Sequence, residues 1–467
     1  MSTTELLTRL AGIRNPHYFN GRVLTAETLR EDQEADRQHR RQLGQALGAG
    51  IVHGLEVKLA GSSTVPRPAL SVTSGLAFNR NGEAIALPEN VTIELVPQTQ
   101  ISMSDAGLFV DCQPPPTPTA LTNYGFHILT VRPTSDYREQ ALKVGLNSQT
   151  NRNGQGGAAG CGSRFAVEGV KFFLIQMPLS AGETDTGLRA ELVKLGKQID
   201  DDANSLLNAT GQVAINLRSR IAANLSKLRN GAAHFCFGTE KLATYATNPF
   251  AGNAGESSFL QYGALDELRA KQQLTNCDVP LALLYWTRDG VQFLDMWAVR
   301  RRLIESAATK LWNAATGSQW LSEREAMFLQ FQDQIDDLRS NLLDLGTAIA
   351  ITHFRYLPPA GLLPVRENGL RSGLVSTFFT GRPHRDAEFI EGGLLGALFQ
   401  AASHYDPIDL TQGEMVWLYR VRQNEQNVAA LHYLIFTSAF LPYQATARFD
   451  VARWDYSNYA RCENCQL

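Results

Sequence analysis

The side chains able to do chemistry are sparse in this chain. Cys462-Glu-Asn-Cys465 has the Cys-x-x-Cys spacing of a zinc knuckle. A structural zinc takes four ligands. The chain has no second Cys-x-x-Cys and no His-x-x-x-His to complete the set, so Cys462 and Cys465 read as a free pair. His234-Phe-Cys236 invites a thiol-nucleophile reading. A catalytic pair is brought together by the fold, however, and an apolar-flanked core cysteine is preferred. Asp136, Glu139 and Glu168 offer an acid and a base for glycan cleavage, which needs two carboxylates about 5 to 10 Å apart. Gly154-Gln-Gly-Gly lacks the Gly-Lys-Ser/Thr ending of a phosphate cradle, and no Gly-x-Ser-x-Gly elbow occurs. No catalytic residue, cofactor or metal is assigned, and the chain reads as a non-enzyme.

Composition narrows the classes. The 467 residues suffice for about three domains. A hydrophobic content of 44% is that of a globular protein. A net charge of −3 lacks the basic excess of a nucleic-acid binder. No apolar run approaches the roughly 18 residues a membrane helix needs. The opening Met1-Ser-Thr-Thr-Glu-Leu-Leu has neither the basic lead nor the apolar core of a secretory signal. Six scattered cysteines are too few for a disulfide framework and fit a reducing cytoplasm.

The stretch His17–Val57 organises the rest. A turn, Tyr18-Phe-Asn-Gly21, leads into a helix with Thr25 as its N-cap. Glu27, Glu31, Asp32, Glu34 and Asp36 fill its first half; Arg37, His39, Arg40 and Arg41 fill its second, in the order that suits the helix dipole. Gly48-Ala-Gly50 stops it. Only Leu24, Leu29, Ala35, Leu43, Ala46 and Leu47 are apolar. A helix this polar bridges domains, docks on a partner, or is a solvated face with internal ion pairs.

The remaining elements follow in order. Residues 58–177 read as an antiparallel, sandwich-like β-domain. Asn79-Arg-Asn-Gly82 turns a hairpin, and residues 147–162 form a Gly/Asn-rich loop. Residues 178–353 read as a helical region. Its apolar positions from Leu188 to Leu228 recur at steps of three and four, Gly211 marks a kink or hairpin, and Asn230-Gly231 marks the end. A hairpin, 281–296, interrupts this region, and a helix from Trp297 carries Arg300-Arg-Arg302 as an ion-pairing or solvated face. Phe328, Phe331, Ile335, Leu338, Leu342, Leu345 and Ile349 then keep a heptad. It serves either a coiled coil between subunits or, by preference, an internal bundle. Residues 354–467 read as an α+β domain with a helix over Ala387–Ser403 and a hairpin of Met415–Val421 with His432–Thr437. The whole is an α+β multidomain chain, with 1–57 as its docking element.

One stretch carries a resemblance. Tyr18, Phe19, Gly21, Leu24, Thr25, Ala26 and Glu27, a charged helix, then Gly50, Val52, Gly54, Leu55 and Val57 make a pattern. That pattern resembles the opening of a largely uncharacterised family associated with phage-tail-like contractile injection systems. Leu47-Gly48 departs from the His-Gly pair of that family. The resemblance runs on through Asp136–Glu139, Ser163–Glu168, Val279–Ala282, Asp295–Arg302, Phe354–Pro364, Pro407–Leu410 and Arg448–Tyr459. It implies a multi-copy structural subunit near the baseplate or spike. Its partners would be other subunits, and it would be cytoplasmic during assembly. The surfaces expected to dock carry Tyr18, Phe19, Gly21, Arg37, Arg40, Arg41, Phe331, Leu338, Trp454 and Tyr456. A glycan-recognition module of such a particle and a glycan hydrolase are the alternatives.

Overall fold

Thr25 caps the first helix as its sequence demands. Its hydroxyl accepts from the Thr28 backbone N–H at 3.2 Å, and α1 runs Ala26–Leu47. It ends on Gly48, whose N–H donates to Gly44 O at a φ of 100°. In this computed structural model the described residues are 12–60, 68–95, 109–111, 124–142, 161–177, 179, 187–240, 263–287, 289–304, 318–341, 348–365, 377–422 and 432–439. They form an α+β multidomain arrangement. The chain divides into two units, Met1–Asp337 with Thr352–Tyr356, and Leu338–Ile351 with Leu357–Leu467.

In the first unit, β1 (Gly50–Gly54), β4 (Gly75–Phe78) and β5 (Ala84–Leu87) make one antiparallel sheet. β2 (Val57–Ala60), β3 (Ala69–Val72) and β6 (Val91–Glu94) make a second. The Asn79–Gly82 turn joins β4 to β5, with Asn79 Oδ1 accepting from the backbone N–H groups of Asn81 and Glu83. The third sheet has five strands. β8 (Gly125–Leu142) lies between β10 (Val279–Thr287) and β7 (Phe109–Asp111), β9 (Cys161–Gln176) also pairs β8, and β11 (Gly290–Asp295) completes β10. The hairpin read from sequence as an insert in a helical region is thus part of the β-structure, and β1 joins strands beyond residue 57. The boundaries at 57/58 and 177/178 therefore do not separate the sheets. The pairing of β10 with β8 spans about half the unit in sequence, which local patterning does not report.

β10 is buried along most of its length because both faces are covered, hence its unbroken apolar run. Ala282, Leu284 and Trp286 pack with Ile51, Leu55, Leu70 and Ile85 of the small sheets. Leu283 and Tyr285 pack with Leu188, Leu192, Leu228 and Phe237 on the helical side. Those helices are α2 (Leu188–Leu206) and α3 (Gly211–Phe237). Gly211 opens α3 at a φ of +59°, so the pair is a helix hairpin.

Asn230-Gly231 does not end α3. Asn230 is fully buried, and its Oδ1 accepts from the Arg355 and Tyr356 N–H groups at 2.8 and 2.9 Å. Gly231 lets Leu192 pack where a Cβ would meet it at 2.8 Å. The arginine run does not lie on a helix either. Asp295 Oδ1 accepts from Ala298 N–H at 2.9 Å in a short turn, and the chain then bridges to Ala49 and Ile51. Arg300 donates to Leu55 O at 2.7 Å, Arg301 pairs with Glu323 at 2.6 Å and Arg302 with Glu325 at 3.0 Å. The ion-pairing reading of this run holds and the helix does not.

The heptad begins on α5 (Ser318–Asn341), but residues 348 and 349 are not helical, so the helix stops short of Ile349. Leu342 and Leu345 lie outside the described residues. Phe331 is fully buried, 5.2 Å from the Phe354 ring, so its apolar face is used inside the chain.

In the second unit a mixed sheet runs Ala360–Val365, His432–Thr437, Val416–Arg422, His384–Glu391. The expected hairpin of Val416–Arg422 with His432–Thr437 is present. The helix expected from Ala387 begins only at Leu395, because residues up to Glu391 form a strand parallel to Val416–Arg422. Leu395, Leu398 and Phe399 pack on Ile390, Tyr419 and Ile435.

Candidate interaction surface

α1 is fastened along one side only. Arg41 reaches Glu83 at 2.7 Å and Glu34 at 3.8 Å, and Gln45 donates to Asn81 O at 3.3 Å. Gly44 lies against Gly82 so closely that a Cβ there would stand 2.1 Å from the Gly82 carbonyl oxygen. Thr28, Ala35 and Gly44 are its buried residues. The chain leaving it is stitched by Ala49 and Ile304, which exchange N–H···O bonds of 2.9 Å.

The opposite side is open. Leu24, Leu29, Leu43 and Leu47 are 61%, 48%, 67% and 53% exposed. Tyr18, Phe19 and Val23 extend that surface through the preceding turn, where Gly21 takes a φ of 90°. Scattered exposed leucines are ordinary, whereas these gather on one element and the turn before it. Arg37 and Arg40 remain in solvent, paired with Glu34 and Asp36 of the same helix. Arg41 instead belongs to the fastening. Among the expected docking residues, Tyr18, Phe19, Arg37 and Arg40 therefore lie at the surface. Phe331 and Leu338 are buried, which corrects their reading as docking residues: the heptad face packs inside the chain. Trp454, Tyr456, Cys462 and Cys465 lie outside the described residues.

The sequence candidates for chemistry do not converge. The register sets Asp136 against Val167 and Glu168 against Ser135, so positions 136 and 168 fall on opposite faces of the ribbon. Position 139 lies four residues along β8 from Ser135, about 13 Å of strand. Cys236 is buried in the last turn of α3, and burial pushes its thiol up to about 12. A thiol so raised supplies no thiolate at neutral pH. Cys277 is disulfide-bonded, which corrects the expectation of a fully reduced chain. Among the described residues no group of three or more His, Cys, Asp or Glu could hold a metal, and no helix is long and apolar enough to cross a membrane.

Two charged clusters that sequence reading missed sit in the interior. Arg229 lies between Asp295, at 2.7 Å, and Asp337, and Gln330 also donates to Asp295 at 3.2 Å. These residues are far apart in sequence, and no local signal joins them. Asp333 beside them is raised to about 6, by burial first and by the Asp295 charge second. The second cluster gathers Asp266 and Arg269 of α4 (Ala264–Ala270) near Arg301 and Glu323. Burial raises both carboxyls and brings Arg269 down to about 10. The first ties helices to the end of β11, and the second ties two helices to the segment that follows it.

No family model matches the chain, and comparison with curated proteins finds no match.

Proposed function

We propose that this chain is a structural subunit of a phage-tail-like contractile injection system, close to its baseplate or spike, and that it works by docking on neighbouring subunits through α1 and the turn before it. The observation that supports the reading is the row of exposed leucines on a helix whose other side is fastened to the body. Fully burying an exposed leucine contributes about 1.5 to 3 kcal/mol, so covering the half-exposed Leu29, Leu43 and Leu47 of the helix, with Leu24 just before it, would add roughly half of that at each. The motif that carries the resemblance lies in the same stretch. Assembly in the cytoplasm followed by release of the particle accommodates the Cys277 disulfide, which an oxidising setting would favour.

The test is a particle purified from cells carrying Leu29→Glu and Leu43→Glu together. The chain is expected to be missing from that particle while remaining folded on its own. Retention at wild-type stoichiometry overturns the reading.

The glycan-recognition alternative draws on Tyr124, exposed at the start of β8 with its ring edge-on to Trp286 at 6.0 Å. A single ring makes a poor sugar platform, and the assembly reading is preferred.

A further inference from the structure

The exposed side of α1 is self-complementary. Leu29, Gln33, Asp36, Arg40, Leu43 and Leu47 follow one another at alternating steps of four and three, the spacing of a helix–helix seam. At 100° per residue they share one side of the helix, away from Thr28, Ala35, Arg41 and Gln45, which face the body, while Gly44, packed on Gly82, marks the edge of that side next to Gln33. All six are exposed.

Gln38 lies midway along this row. A two-fold axis there would set Leu29 against Leu47 of a second copy, Gln33 against Leu43, and Asp36 against Arg40. Each contact would then occur twice, as an isologous interface requires. The central charges are opposite in sign across the axis, and the ends are apolar. In a single chain Asp36 and Arg40 pair with each other, with their side chains 58% and 75% exposed. In the pair they would form a ring of four alternating charges between two leucine zones.

We infer that the occupant of this helix face is a second copy of this chain, with the two α1 helices antiparallel. A parallel arrangement would stack Asp36 on Asp36 and Arg40 on Arg40, which the charge pattern disfavours. The overlapping rows span about 27 Å. The inference rests on the docking role proposed for α1 and names its partner.

The experiment uses the full-length chain. Two single variants, Leu29→Cys and Leu47→Cys, are mixed under mild oxidation and the cross-links mapped by mass spectrometry. Antiparallel pairing predicts a 29–47 cross-link between copies and none joining 29 to 29, since those positions would stand about 27 Å apart. In sedimentation, Asp36→Lys and Arg40→Glu are each expected to weaken self-association by about tenfold or more, and an equal mixture of the two to restore it. A monomeric wild-type chain, a 29–29 cross-link, or no recovery on mixing overturns the inference. Incorporation of the Leu29→Glu and Leu43→Glu variant into the particle is scored separately. Loss of that variant beside a monomeric wild-type chain sinks the self-pairing alone, and its retention sinks the docking role.

Discussion

Gly44 of α1 and Gly82 of the β4–β5 turn approach until only hydrogen fits between them: a Cβ on Gly44 would stand 2.1 Å from the Gly82 carbonyl oxygen, and one on Gly82 would stand 2.0 Å from the Arg41 carbonyl oxygen. The contact is backbone on backbone, so no side-chain rotation relieves it. This is what brings a polar helix with little apolar surface of its own onto the body.

Gly44→Ala should therefore destabilise the first unit, although alanine favours a helix by about 1 kcal/mol over glycine. The clash is expected to outweigh that gain and leave a net loss of about 1 to 3 kcal/mol. Urea unfolding measures the loss. Faster hydrogen exchange in residues 26–47 would locate it.

Asn230→Ala removes the oxygen that accepts from the Arg355 and Tyr356 N–H groups. Two buried donors would lose their partner, at a cost of about 2 to 4 kcal/mol. Chemical denaturation reads this directly, and an unchanged midpoint would contradict the contact.

Cys236 should resist alkylation in the folded chain even at mildly alkaline pH, because its thiol is buried and raised to about 12. Mass-spectrometric labelling is expected to modify it only in denaturant. Rapid native labelling would reopen the thiol-nucleophile reading set aside above.

Asp333 imposes a pH dependence of known sign. Its folded value of about 6 lies above the ordinary carboxyl value of 3.8, so between those limits the folded chain holds the extra proton. Stability should fall as pH rises from about 4 to about 6, and the penalty should persist above that. Asp333→Asn removes the charge. It should stabilise the chain at pH 7 relative to wild type, with the difference shrinking towards pH 4. A difference independent of pH would contradict the assignment.

These residues also explain what the amino-acid order made legible. Thr25, the Asn79–Gly82 turn and the leucine steps from 188 to 228 are local signals, each settled within a few residues, and each element formed where expected. Asn230-Gly231 misled because a remote segment at 355–356 supplies donors to Asn230 and Leu192 supplies the reason for Gly231. Arg300–Arg302 misled similarly: Leu55, Glu323 and Glu325 hold the run extended, and none lies nearby in sequence. The exposed apolar row of α1 was legible because a helix with few apolar residues, several of them surplus to its own fastening, is unusual in itself. The Asp295 and Glu323 clusters were not, because each assembles from three or more distant elements.

The most direct measurement of whether α1 works by being covered is maleimide labelling of a Leu43→Cys chain, alone and within the assembled particle. Leu43 is 67% exposed in a single chain and should label rapidly at a dilution where copies do not pair. The account predicts a labelling rate at least about tenfold lower in the particle, since a covered thiol reacts only when the contact opens. Equal rates in the two states would mean that this face stays in water, and would contradict it.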